Sequence, residues 1–160
     1  NKVNLEEEHW ALLSGAWLQA RQWQDAEASL LQAAQLSDVG EHWLQLCQTA
    51  FQDERWQDSL KYCNKALIKG GLQQEDGAAW YLIALAQYYR DQWQHADNAF
   101  KQCSRWQQTK TDCERWQQFL VQSQAAKQRE LQRQQAEAAE LERRRKTQQA
   151  DIDKAIIMAS

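Results

Sequence analysis

Proline is absent from all 160 residues, and glycine occurs only five times. Neither residue is welcome inside a helix, and β-turns depend on both. Their scarcity excludes collagen-like and proline-rich architectures, argues against a turn-dense β-sandwich and favours helices. No apolar run approaches the roughly 18 residues that a membrane-spanning helix requires, so no span is expected in this chain. Excess positive charge is missing too. The 19 basic and 22 acidic residues leave a formal net charge of −3, which argues against a general nucleic-acid binder. The opening Asn1-Lys2-Val3-Asn4 lacks the form of a secretory leader. There is no glycine-rich phosphate loop, no nucleophile elbow and no set of ligands at metal-binding spacing. No catalytic, cofactor or metal residue is therefore expected, and the chain does not read as an enzyme.

What is present is unusual. Nine tryptophans and four cysteines stand in a chain that is otherwise rich in Gln, Ala, Leu, Glu, Lys and Arg, all good helix formers. With 43% apolar and 26% charged residues, it has the composition of one globular domain. The tryptophans reveal a repeat. Trp10 and Trp23, Trp43 and Trp56, and Trp80 and Trp93 are each thirteen residues apart, and the pairs recur after thirty-three and then thirty-seven residues. Small residues hold fixed places around them: Ser14, Cys47 and Ala84 four after the first Trp; Ala26, Ser59 and Ala96 three after the second; and Ala33, Ala66 and Cys103 further on.

This pattern resembles the tetratricopeptide repeat, a helix-turn-helix unit of about 34 residues. Two antiparallel helices approach closely only where side chains are small, and large rings fill the flanking holes. The usual proline at the repeat end is missing from all three units, and the usual glycine after the first helix is replaced. The expected fold is all-α: a solenoid of three hairpins at about 7–37, 40–70 and 77–106, a capping helix completing a domain over 1–126, a long charged helical extension over 127–150 and a tail over 151–160. Helices are predicted at roughly 5–20, 24–36, 41–52, 56–69, 77–90 and 93–105, with a seventh from Thr111-Asp112 to about 148. Trp116, Leu120 and Val121 would cover the open face of the third hairpin. Trp10, Trp23, Trp43, Trp56, Trp80 and Trp93 are expected in the core. Trp17 lies off that grid, closer to the surface, and Trp106 sits in the last loop.

Between Lys127 and Lys146 stand seven basic and four acidic residues, and Leu120, Leu131 and Leu141 are too sparse for a heptad seam. Two readings stand: a solvated charged helix, or one that binds a partner or self-associates. His9 and His42, each just before a Trp, are expected on a solvent-facing edge, and His95 stands alone. Cys47 and Cys63 lie eight residues either side of the second hairpin's corner, and Cys103 and Cys113 are symmetric about the loop near Gln108. Residues equidistant from a turn face each other, which favours Cys47–Cys63 and Cys103–Cys113 bridges. The alternative is that free thiols fill small positions.

Function is expected on the concave face built by the first helix of each hairpin. Its rungs are Ala11, Gly15 and Leu18; Leu44, Gln48 and Phe51; and Tyr81, Leu85 and Tyr88, with Tyr89 beside them. The Lys, Arg and Asn side chains that hold a terminal carboxylate in chaperone-binding members are absent here. An apolar, aromatic surface with amide spacing suits a helix or extended segment bearing apolar anchors.

The intervening loops carry a closer resemblance. Leu36-Ser37-Asp38-Val39-Gly40-Glu41 leads into Trp43-Leu44-Gln45-Leu46, and Lys69-Gly70-Gly71-Leu72 precedes Gly77-Ala78-Ala79-Trp80. With Ala99-Phe100 and a late Trp116, these are similar to the C-terminal repeats of the tetratricopeptide protein that accompanies certain ExbB–ExbD–TonB clusters in Gram-negative bacteria. The likeness spans roughly residues 9–121. It implies a periplasmic, non-catalytic accessory component of a TonB-type energy-transduction system for iron-complex uptake, with periplasmic segments of ExbB, ExbD or TonB as partners and no cofactor. Cys47 and Ala84 stand where that family tends to have glycine, and four cysteines are not a general feature of it. The alternatives are a general envelope scaffold for pilus or secretion assembly, and a cytosolic peptide-sensing regulatory domain.

Overall fold

The computed structural model describes residues 5–160; the opening Asn1-Lys2-Val3-Asn4 stretch lies outside them. Seven helices make up the described chain: α1 (Leu5–Gln19), α2 (Trp23–Leu36), α3 (Glu41–Gln52), α4 (Trp56–Lys69), α5 (Asp76–Tyr89), α6 (Trp93–Cys103) and α7 (Lys110–Ala159). The chain divides into two compact units, one ending at Gln118 and one covering Phe119–Ser160. In the first unit α1 pairs with α2, α3 with α4 and α5 with α6, and the hairpins stack through α2 on α3 and α4 on α5. None of the described helices is long and apolar enough to cross a membrane.

The core is built from small side chains. Ala26, Ala33, Cys47, Ser59, Ala66, Ala84, Ala96 and Cys103 are wholly buried at the helix crossings, with Leu30, Leu46, Leu72 and Phe100 filling the space between them. The tryptophans are not where the repeat pattern put them. Of the six framework rings only Trp43 is buried, packed beside Tyr62 at 6.1 Å and covered by the Lys65 ammonium at 4.5 Å. Trp10, Trp56, Trp80 and Trp93 are half-buried, and Trp23 is exposed. An indole is too wide for a crossing that admits only alanine, so it lies along the edge with one face on its neighbours and the other toward solvent.

The three hairpin corners share one conformation. Arg21, Glu54 and Asp91 each adopt a positive φ near 58°, 57° and 59°. The following N–H groups, of Gln22, Arg55 and Gln92, reach back five residues to the carbonyls of Trp17, Ala50 and Gln87, each at 2.9 Å. This is the helix stop normally assigned to glycine. The three side chains tolerate it at a cost of about 1 kcal/mol each.

The two loops that carry the closer resemblance pack on one another. The Gly40 N–H donates to the Gly70 carbonyl at 2.8 Å, and the Lys69 ammonium donates to the Ser37 carbonyl at 3.1 Å. A Cβ on Gly40 would stand 2.3 Å from the Ala66 carbonyl oxygen, and one on Gly71 would stand 2.6 Å from Val39 Cγ1. Gly70 and Gly71 both have positive φ. These glycines let the α2–α3 and α4–α5 connections touch. The loops are thus packing elements of the solenoid.

Helix α7 differs most from expectation. It begins at Lys110, and the boundary hydroxyl belongs to Thr109, which donates back to the Cys103 carbonyl at 2.7 Å. The helix then runs 50 residues without a break, past 148 and through the expected tail. Leu120 is buried, whereas Val121 is exposed. Unbroken continuation follows from composition, because no glycine or proline stands after Gly77.

Two glycine substitutions separate space from propensity. Gly40→Ala is expected to destabilise by about 2–3 kcal/mol, because backbone must move. Gly15→Ala, in mid-helix with nothing within 4 Å of the new Cβ, is expected to stabilise by about 0.5–1 kcal/mol. Urea unfolding midpoints test both; a stable Gly40→Ala would refute the close loop approach.

Candidate functional site

Helices α1, α3 and α5 place the expected rungs in two groups of different character. Leu44 and Gln48 line a depression of about 300 Å³ together with Glu41, Gln45 and Glu75. Leu44 is buried as its floor and Gln48 is exposed. Phe51, Tyr81 and Tyr88 belong to a chain of aromatic contacts. Leu18 and Leu85 are half-buried on α1 and α5.

The aromatic chain has two ends. At one, Tyr89 stacks on Trp56 at 4.6 Å and 16°, with Phe51 edge-on to Trp56 at 5.0 Å. Tyr89 remains 51% exposed. A second depression, about 630 Å³, opens beside Trp56 between Arg55, Gln57, Asp58 and Lys61. At the other end Trp116 of α7 stacks on Phe100 at 5.4 Å and 4°, meets Tyr88 at 5.0 Å and donates its indole N–H to the Tyr81 hydroxyl at 3.3 Å. Tyr88 joins the two ends through Tyr89 at 5.4 Å. Tyr81 and Tyr88 thus support Trp116, whereas Tyr89 with Trp56 is the accessible step. Tyr89 was legible as a neighbour of the rungs. Trp56, expected in the core from its repeat position, is half-buried because an indole is too wide for the crossing.

The cysteines set this geometry. Cys47 and Cys63 are bridged across the α3–α4 hairpin with Cα atoms 5.1 Å apart, and Cys103 and Cys113 join the end of α6 to the first turn of α7 at 6.1 Å. Trp116 follows Cys113 by one helical turn, so the second bridge aims the ring that covers Tyr81 and Phe100.

Two polar links hold neighbouring hairpins together, and neither was foreseen. His42, expected to face solvent, is half-buried, and its Nε2 lies 2.9 Å from a Glu7 carboxylate oxygen. Glu27 of α2 forms a two-pronged ion pair with Arg55 at the head of α4 and accepts a hydrogen bond from the Tyr62 hydroxyl at 2.6 Å. Arg55 also holds Asp53 and Asp58, each at 2.9 Å. Burial pushes the Glu27 carboxyl up, but the hydrogen bonds from Arg55 and Tyr62 and the Arg55 charge outweigh it, leaving the group below the usual carboxylate range. The Tyr62 phenol is raised by burial and by its bond to Glu27.

The architecture defines a class: the chain has the fold of a tetratricopeptide-repeat solenoid. No family model and no curated protein matches the sequence. Solved structures do. The TPR2B domain of yeast Sti1, in its complex with pHsp70, superposes with a TM-score of 0.64 at 12% identity over 75% of this chain and 99% of that one. MamA gives 0.65 at 14% over 74% of this chain and 64% of its own length. The Arabidopsis OM64 TPR domain gives 0.63 at 13% over 74% and 96%. At such identities the likeness is one of fold.

The Glu27 cluster has a signature in pH. Its carboxyl titrates lower in the folded chain than in the unfolded one, so its contribution is complete above the ordinary glutamate range and is lost as pH falls through the folded value. Glu27→Gln is expected to be less stable than wild type at neutral pH, with the gap closing as pH falls from the ordinary glutamate range through the lowered folded value. Urea midpoints against pH check this; two parallel curves would remove the ion pair from the account.

Proposed function

We propose that this chain is a non-catalytic docking module whose inner face receives a helix or extended segment of a protein partner. The observation that carries this reading is the Tyr89–Trp56 step, half-open to solvent, with the Glu41–Gln45–Gln48–Glu75 depression toward the opposite ends of α3 and α5. A flat aromatic pair anchors an apolar side chain, while amides and carboxylates along the same helices take the partner's backbone and basic groups. The basic side chains that clamp a terminal carboxylate are lacking at the rungs, so the anchor is an internal apolar segment rather than a chain end.

The finer reading places the module in the periplasm as an accessory component of a TonB-type energy-transduction system, with periplasmic segments of ExbB, ExbD or TonB as partners. It is supported by the Leu-Ser-Asp and Lys-Gly-Gly-Leu loops that resemble that family. Two disulfides, with no free cysteine among the described residues, fit an oxidising compartment.

Calorimetric titration of the oxidised chain with those periplasmic segments tests both levels. One segment is expected to bind, and Tyr89→Ala is expected to weaken it about ten-fold, the effect of losing roughly 1.4 kcal/mol at an anchor, with the melting profile preserved. If no segment binds, the TonB-type assignment fails. If one binds and Tyr89→Ala and Gln48→Arg both leave its affinity unchanged, the inner face is not the docking surface.

A further inference from the structure

The second unit, Phe119–Ser160, is a single helical stretch exposed along nearly all its length. Its apolar residues are few, yet they are aligned. Leu120, Leu131, Leu141 and Ile152 follow at steps of eleven, ten and eleven residues. At 100° per residue an eleven-residue step drifts by only about 20° and the ten-residue step by about 80°, so the four side chains share an arc of about 80° on one side of a straight helix. Ala138 and Ile156 fall on the same side. Leu131, Leu141, Ile152 and Ile156 are 47%, 70%, 46% and 63% exposed. A search for heptads passes over this stripe.

Charge along the helix is arranged in blocks. Glu137, Glu140 and Glu142 form an acidic block, followed at once by the basic block Arg143-Arg144-Arg145-Lys146. Pairs within the helix, such as Arg133 with Glu137 and Arg143 with Glu140, support it locally. They leave the block pattern in place. The boundary between the blocks falls between Glu142 and Arg143. The midpoint between Leu131 and Ile152 falls between Leu141 and Glu142. Two unrelated features, apolar spacing and charge order, therefore share a centre to within one residue.

We propose that this segment pairs antiparallel with the same segment of a second copy of the chain, about a point beside Leu141. In that register Leu131 meets Ile152 of the second copy, and the two Leu141 side chains meet at the centre. The acidic block lies opposite the basic block in both halves. On the flank of the stripe Glu137 faces Arg144 of the second copy. A parallel pair in register would set acid on acid and base on base, which like-charge repulsion disfavours. The apolar seam is thin, so the pairing is reversible and depends on concentration.

Sedimentation of the oxidised full chain across the micromolar range is expected to show monomer passing to dimer. Leu141→Glu is expected to weaken the dimer at least ten-fold while the melting of the repeat unit stays unchanged. Glu137→Arg and Arg144→Glu are each expected to weaken self-pairing, and an equimolar mixture of the two to restore a dimer, because the mixed pair recovers both opposite-charge contacts. Leu141→Cys is expected to cross-link to itself on oxidation and Ile156→Cys is not. A chain that stays monomeric throughout, including one whose stripe serves a different protein, overturns the proposal. So does a mixture that fails to restore the dimer, or an Ile156→Cys cross-link as efficient as that of Leu141→Cys.

Discussion

Helices that cross at side chains no larger than cysteine are the constraint on which the rest of this structure depends. At the wholly buried positions Ala26, Ala33, Ser59, Ala66, Ala84 and Ala96 a larger group has nowhere to go. Close crossing has a consequence for the nine tryptophans: rings are expelled from the crossings to the edges of the hairpins. Edge rings are half-covered, and half-covered rings are what an interaction surface needs. The packing rule that builds the solenoid therefore also furnishes its accessible aromatic step.

The cysteines reinforce the same rule covalently. Cys47 and Cys63 occupy small-residue positions within one hairpin, and each disulfide closes a short loop worth about 3 kcal/mol against the unfolded chain. The Cys103–Cys113 bridge does more than stabilise. It fixes the first turn of α7, and through that turn it fixes Trp116 over Tyr81, Tyr88 and Phe100. Reduction of this bridge would loosen the end of the aromatic chain opposite Tyr89, so the redox state of the compartment bears on the proposed docking face as well as on stability.

Most of the fold was legible in the sequence because a repeat states its own period. The spacing of Trp and small residues predicts the helix bounds to within two residues, save the end of α7. The expected end near 148 falls where no stop residue exists, and the helix runs on to Ala159. The depth of each tryptophan was misread because a repeat position says which residues are equivalent, not how much room each has. The Glu27–Arg55–Tyr62 cluster was invisible for another reason: its members stand 28 and 35 residues apart on exposed-looking helix faces, and only the stacking of hairpins brings them together. The loops at Ser37–Gly40 and Lys69–Leu72 drew attention through family likeness, and the structure adds their physical reason in the contact of Gly40 with α4 and of Gly71 with Val39.

The central claim is that size, and not hydrophobicity, governs the crossings, and Ala66 tests it directly. Ala66→Ser keeps the volume and adds polarity; Ala66→Leu adds apolar surface and volume. Equilibrium urea unfolding of the two is predicted to show Leu costing at least about 2 kcal/mol, from overpacking, and Ser about 1 kcal/mol or less. A leucine variant as stable as wild type, or more stable than the serine variant, would contradict the account.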